Sequence, residues 1–300
     1  MRLFRLFSLL WGSVSFLSGA SCFSGLHSVK LAPRHWAAPQ FLRTQPARPL
    51  WRTRLTCQQQ EVEWKKVKVL ESTPAAAGIQ SVTIEAGEIS QGYQKPGQFV
   101  QIKLGDAKPG FFAIASAPST DGRLEFLIKE TDSTKALTSA GVGSTVDMSP
   151  VMGKGFAIQE NLEGYKYDFP TNNILLAATG TGIAPIRAAI ESGLLETSES
   201  DVFGRSCRLY YGIQNADKMP YLEKMKEWEA NGVEVVPVMS QPGSDWTGRK
   251  GYIQAAIKED GVRIPRNTGV LLCGQQGMVQ DVKELCTSAG VFDGRLLTNF

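Results

Sequence analysis

The stretch Thr179-Gly180-Thr181-Gly182-Ile183-Ala184-Pro185 follows the apolar run ILLAA and leads into a segment of helical spacing. Residues with almost no side chain at such a junction let another group come close to the main chain. A helix starting there carries unpaired N–H groups and a partial positive charge, so the group that gains most from approaching is a phosphate. Pro185 in the first turn gives up an N–H that has no helical partner. The spacing G-x-G-x-x-P suits a dinucleotide's pyrophosphate, and it also suits a tight strand–helix corner. The doubly wound dinucleotide fingerprint would add a third glycine and an acidic residue about twenty positions later. The third glycine is absent, so this is a different phosphate loop.

Other chemistry is narrowed by composition. The five cysteines include Cys22 and Cys57 near the N-terminus and leave Cys207, Cys273 and Cys286 beyond residue 60, with no C-x-x-C spacing. That pattern makes neither a disulfide framework, a zinc site nor an iron–sulfur cluster. The two histidines, His27 and His35, both lie in the first 60 residues. Histidine acid–base catalysis, a Ser-His-Asp triad and His-ligated metals are thereby excluded from residues 61–300.

The elements that must position the glycine corner fall into two rhythms. Between Trp64 and Pro150, WKKVKVLES, GIQSVTIEA, QFVQIKL, GFFAIASA, RLEFLIKE and STVDMS read as short strands separated by Gly and Pro turns, which predicts an antiparallel barrel. Lys135–Ser139 reads as a short helix inside it. GYKYDFPTNN reads as a hinge. From Ile174, apolar strands (ILLAA, RLYYGI, VEVVPVM, GVLLCG) alternate with helical segments, which predicts an α/β parallel sheet with ligand loops at its carboxyl edge. In one of those helices Tyr221, Leu222, Met225 and Trp228 are expected to share a face. The expected organisation is a presequence at 1–60, a barrel domain at 61–170 and a nucleotide-binding domain at 171–300.

Ordered along residues 61–300, KPGQFVQIKL, GFFAIASAPS, SPVMGKGF, TGTGIAP and LLCGQQGM resemble successive signatures of the ferredoxin–NADP reductase superfamily. The resemblance is to its bacterial-like and plant reductase-like branch, and it implies a flavin-binding antiparallel barrel followed by a nicotinamide-nucleotide domain. Thr179, Gly180, Thr181, Gly182 and Pro185 would then form the phosphate loop. Cys273 would lie beside the nicotinamide, with Gly274 and Met278 at the same corner, and the terminal Phe300 would lie against the flavin ring. Ser240, Lys250 and Tyr252 match the residues for an adenosine 2′-phosphate. Gln241 stands where an arginine would be, and Arg249 is a nearby substitute. Arg and Lys favour a phosphate dianion, so NADPH is expected over NADH by a small margin.

The flavin signature R-x-Y-S-x-x-S would fall on Gly110, Phe112, Ala113 and Ser116, so its arginine and two of its hydroxyls are missing. Phe112 retains a stacking face, the backbone of Ile114 and Ser116 remains, and Lys129 with Ser133-Thr134-Lys135 offers phosphate contacts. The implied cofactor is FAD, or FMN, reduced by NADPH or NADH. The alternative is a flavin-free barrel serving as a nucleotide-sensing or scaffold protein. The cysteine cluster of the branch's electron-transfer subunits is absent, so no iron–sulfur centre is implied.

Residues 1–60 hold eight basic and no acidic residues, leaving 24 basic against 29 acidic in residues 61–300. LFSLLWGSVSFL after Arg2 and Arg5 has a signal-peptide layout, and the Arg-, Ser- and Pro-rich, acid-free stretch after Phe23 has that of a transit peptide. The pair resembles a bipartite plastid presequence, the alternative being a secretory leader with a spacer. The expected partners are a nicotinamide nucleotide and a protein or small-molecule electron acceptor. Neither nucleic acid nor a membrane span in the mature form is expected. An excess of acidic residues makes an acidic acceptor protein less attractive.

Overall fold

In the computed structural model, residues 62–163, 167, 169–197 and 205–299 are described. The expected presequence, residues 164–166 and 168 of the expected hinge, and Phe300 lie outside these residues. The described residues form one compact unit.

The first half contains β1 (Lys65–Ala76), β2 (Ile79–Glu85), β3 (Phe99–Lys103), β4 (Gly110–Ala113), β5 (Arg123–Lys129), α1 (Lys135–Thr138) and β6 (Thr145–Met148). All pair antiparallel in the order β4-β3-β6-β1-β2-β5. A bridge between Ile114 and Phe126 joins the two edges, so the sheet closes into a barrel and leaves no long open edge. Period-two spacing fills it: Val82, Ile84, Val100, Ile102, Leu124, Phe126 and Ile128 point inward and are buried.

After α2 (Ile158–Leu162) come β7 (Asn173–Thr179), α3 (Ile183–Glu191), β8 (Ser206–Ile213), α4 (Leu222–Ala230), β9 (Val233–Met239), β10 (Arg249–Lys250), α5 (Ile253–Asp260), β11 (Thr268–Cys273), α6 (Gln276–Ala289) and β12 (Leu296–Thr298). Their sheet is wholly parallel, in the order β10-β9-β8-β7-β11-β12. Sequence reading missed β10, α5 and β12, since the two strands are two and three residues long and α5 follows a Gly-rich turn. Ile174 to Ala178 and all of β11 are buried, as expected of strands covered on both faces. Alternate residues serve different layers. Ile174, Leu176 and Ala178 pack with Ile183, Ile186 and Trp228 on one side. Leu175 and Ala177 pack with Ile257, Met278 and Val282 on the other.

Barrel residues Ile79, Ala115 and Leu127 join the first of those layers, so the barrel is packed on the α3–α4 side through a shared apolar core. The expected helix face at 221–228 is narrower than the spacing suggests. Leu222 is 53% exposed, because Tyr221 has a left-handed backbone (φ 65°) and stands outside the helix. Its ring meets Trp228 edge-on instead, at 6.4 Å between centroids. Among the described residues no helix is long and apolar enough to cross a membrane.

Candidate functional site

The chain runs β7-β8-β9 to one side of the sheet and returns to place β11 on the other, so strand order reverses between β7 and β11. Loops diverge at such a switch point and open a crevice at the carboxyl ends of the strands. Thr179–Gly182 closes β7 there, and Cys273–Gln275 closes β11.

The two glycines of the corner have different duties. Gly180 has φ 54° and nothing within 4 Å of where a Cβ would stand, so its open side is available to a ligand. Gly182 has ordinary helical φ, but a Cβ there would collide with the main-chain carbonyl of Cys273. The close approach required at Gly182 is therefore to the protein's own β11 corner. Gly274 completes the fit: it has φ 151°, and its missing side chain leaves space for Thr179 and the Met278 methyl. Thr179 Oγ1 accepts the Gln275 N–H at 3.0 Å, joining the two loops. The buried Tyr211 hydroxyl donates to the Gly180 carbonyl at 3.0 Å and holds the turn from below. Thr181 stays half-exposed, and α3 begins directly after, with Pro185 buried in its first turn.

Cys273 is 7% exposed, and burial pushes its thiol up to about 12. It is a neutral, compact group at the end of β11 rather than a thiolate nucleophile.

Farther along the carboxyl edge, Ser240 follows β9 while Lys250 ends β10 beside Met239. Tyr252 begins the next turn with 67% of its surface exposed. Fold topology thus brings these three to one rim. Arg249 is directed elsewhere: its guanidinium pairs with Asp260 and, at 3.2 Å, with Glu259. Asp260 also accepts from Tyr210 at 2.7 Å and faces Arg208 at 3.4 Å. Burial works against the charged Asp260 carboxyl, but the bonds from Tyr210 and Arg249 outweigh it and hold the group below its ordinary range. Gln241 bonds Gln214 at 2.6 Å and carries no charge to the rim.

On the barrel, Phe112 is half-buried and Ile114 fully buried, with Ala113 between them. A cleft of about 190 Å³ lies beside Phe112 and Gly110, bordered by Leu104, Leu137, Lys103 and Lys108. Its mix of Phe112, apolar residues and two lysines fits an aromatic ligand that carries phosphate. Ser116 is occupied structurally: its hydroxyl accepts the Glu125 N–H at 3.2 Å and its carbonyl accepts the Tyr93 hydroxyl at 2.7 Å. Thr134 spends its hydroxyl on its own turn, donating to the Lys129 carbonyl at 2.6 Å and accepting the Thr131 N–H at 2.9 Å. Lys129 itself is exposed.

Spacing and composition did not single out Arg187. This residue of α3 is 5% exposed and reaches Glu125 on β5 at 2.6 Å, with Glu191 at 3.0 Å on its own helix. The Tyr221 ring lies 5.0 Å from its guanidinium carbon. Burial works to lower its pKa, but the carboxylates and the tyrosine raise it, so the charge is fixed. An arginine at this point of an apolar helix reads as a solvent-facing charge. Glu191 lies one turn along its own helix, and the packed barrel supplies the second carboxylate, Glu125. Among the described residues, no three His, Cys, Asp or Glu side chains come together as a metal-binding group.

The family model described as the oxidoreductase NAD-binding domain matches residues 176–284. The fruit protein pKIWI502 of Actinidia deliciosa is 35% identical over 250 residues, covering 78% of this chain and 76% of that protein. The gamma subunit of sulfhydrogenase 1 from Pyrococcus furiosus is 30% identical over 200 residues, covering 65% of this chain and 64% of that one. The leaf-type chloroplastic ferredoxin–NADP reductase of Nicotiana tabacum is 28% identical over 133 residues, covering 42% of this chain and 37% of the reductase. The matches thus span less than two thirds of the tobacco and Pyrococcus proteins. In fold, the Neisseria gonorrhoeae ferredoxin–NADP+ reductase with bound FAD and NADP superposes with a TM-score of 0.64 at 17% identity, covering 80% of this chain and all of that one. The CS-b5R domains of human Ncb5or in the NAD+ form give 0.64 at 17% identity, covering 81% of this chain and 71% of that one. Joined barrel, parallel sheet, glycine corner and relatives lead to one conclusion: the chain belongs to the ferredoxin–NADP reductase superfamily of NAD(P)H flavoprotein reductases.

Proposed function

We propose that this protein is an NAD(P)H-dependent flavoprotein oxidoreductase that takes electrons from reduced nicotinamide through FAD, or FMN, and delivers them to an acceptor. The observation that carries the reading is the switch-point corner, where Gly180 leaves open space at the start of α3 beside the Cys273–Gly274 turn. Residues 179–182 and Pro185 hold the nucleotide's phosphates at the helix start. Cys273, Gly274 and Met278 form the wall for the nicotinamide. Lys250, Ser240 and the exposed Tyr252 receive the adenosine end, with NADPH favoured slightly. Phe112 and the backbone of Ala113 and Ile114 face the flavin, and Phe300 lies outside the described residues.

A bound flavin supplies the step between two-electron and one-electron redox chemistry, and the protein supplies position and exclusion of water. Cys273, being neutral, contributes shape to that wall and moves no proton. Arg187 and Glu125 tie the helix after the phosphate loop to the barrel strand whose N–H holds Ser116, which fixes the two ligand surfaces relative to each other. Residues 1–60 direct the chain to a plastid in this reading, with residues 61–170 and 171–300 as the two domains. Purified protein is expected to be yellow and to bleach anaerobically with NADPH or NADH. A colourless protein that takes up neither FAD nor FMN overturns the proposal.

The absence of an arginine at position 110 favours a second reading, a flavin-free nucleotide-binding scaffold. The same spectrum separates the two.

A further inference from the structure

A flavin nucleotide carries a phosphate that must meet positive charge, and position 110 does not supply it. The reason is steric as well as chemical. A Cβ on Gly110 would stand 2.7 Å from two atoms of the Phe112 ring, so that ring occupies the first step of any longer side chain. The nearby hydroxyls do not substitute. Thr134 is bonded to Lys129 and Thr131, and Ser133 bonds the Thr131 hydroxyl at 3.0 Å.

Two lysines line the same cleft. Lys103 ends β3, and its Nζ lies 4.8 Å from the centre of the Trp64 ring, a position already stabilised by that ring. Lys108 lies in the turn two residues before Gly110 and is exposed. Among the described residues Lys108 forms no ion pair. Its charge is unspent, and the cleft floor beside it is apolar: Ile102, Leu104 and Leu137.

We propose that Lys108, supported by Lys103, binds the phosphate of a flavin nucleotide whose ring stacks on Phe112. The charge is thus supplied from the β3–β4 turn and not from β4. This rests on the flavoprotein reading above. A lysine is a point charge on a flexible stem, not a planar fork, so it accepts a terminal phosphate monoester and a pyrophosphate alike. The shared ligand chemistry is a phosphorylated flavin, with FMN and FAD as its two sources.

The test is equilibrium quenching of flavin fluorescence by the full chain, titrated separately with riboflavin, FMN and FAD. Charge-assisted hydrogen bonds are about twice as strong as neutral ones, so the phosphorylated ligand is expected to bind at least about tenfold tighter than riboflavin. Lys108→Ala is expected to remove about tenfold of that affinity and leave riboflavin binding unchanged, while Lys108→Arg retains it. Lys66→Ala, an exposed lysine of β1 with the same change in net charge, is expected to bind like the unaltered chain. Tighter FMN than FAD assigns the site to the monophosphate, and the reverse to the dinucleotide. Flavin binding unaffected by Lys108→Ala overturns this assignment and leaves the reductase reading standing. Equal affinity for riboflavin and the phosphorylated forms also overturns it. No binding of any flavin overturns both.

Discussion

Arg187 Nη1 lies 2.6 Å from Glu125 Oε2, which joins the helix after the glycine corner to the barrel strand that supports Ser116. The arginine side chain is 6% exposed and the glutamate 34%. Removing the arginine leaves Glu125 without its cation, which costs roughly 3 kcal/mol when burial is complete and less where water reaches the glutamate, whereas loss of Glu125 leaves Arg187 paired with Glu191. Arg187→Met is therefore expected to lower the free energy of unfolding by about 2–3 kcal/mol. Glu125→Gln keeps a hydrogen-bond acceptor and is expected to cost about 1 kcal/mol. Urea unfolding checks both. Anaerobic flavin bleaching by NADPH should slow in each variant while coenzyme affinity changes by less.

The glycines of the corner separate packing from binding. Gly182→Ala forces a methyl group into the Cys273 carbonyl and is expected to destabilise by about 1–3 kcal/mol. Gly180→Ala places a methyl in open space at positive φ, at about 1–2 kcal/mol. The second variant is expected to lose more coenzyme affinity, because its methyl projects where the phosphates approach. Thermal midpoints and coenzyme titration measure the two effects. Equal loss of coenzyme binding in both would count against the assignment.

Stability is expected to fall at alkaline pH. Burial raises the thiols of Cys207, Cys273 and Cys286 above the ordinary thiol value of 9.0, the last two to about 12 and about 11. The native state holds these protons more tightly than the unfolded chain. The contribution is complete below pH 9 and is lost as pH rises toward the folded values. Urea midpoints at pH 7, 9 and 10.5 should decline in that order, and Cys273→Ala should flatten part of the decline. Iodoacetamide is expected to leave native Cys273 unmodified at pH 8.

Coenzyme preference tests the rim. Lys250→Ala is expected to weaken NADPH binding about tenfold and NADH binding by less than twofold. Arg249→Ala is expected to change neither, because Asp260 and Glu259 already hold its guanidinium. It should reduce stability near neutral pH. Since the folded pKa of Asp260 is depressed, that effect is present above the ordinary carboxylate range and fades as pH falls. An NADPH-specific loss in Arg249→Ala would reassign the rim.

Much of the protein was legible from local pattern. Period-two apolar spacing located all six barrel strands, and runs such as ILLAA and GVLLCG announced strands covered on both faces. The residue order Thr179-Gly180-Thr181-Gly182 marked the corner. These signals are local, set by side-chain period and by backbone freedom.

Tertiary structure decided what spacing cannot carry. Gly182 and Gly274 are small because β7 and β11 bring two loops into contact, across more than ninety residues of sequence. Arg187 finds Glu125 only when the barrel packs on α3, and Arg249 is drawn to Asp260 by the return of α5. The Phe112 ring closes over Gly110, which turns a missing arginine into a shaped cleft with Lys108 at its rim. Sequence fixes which groups are available. The long-range contacts fix which of them remain unpaired and able to meet a ligand.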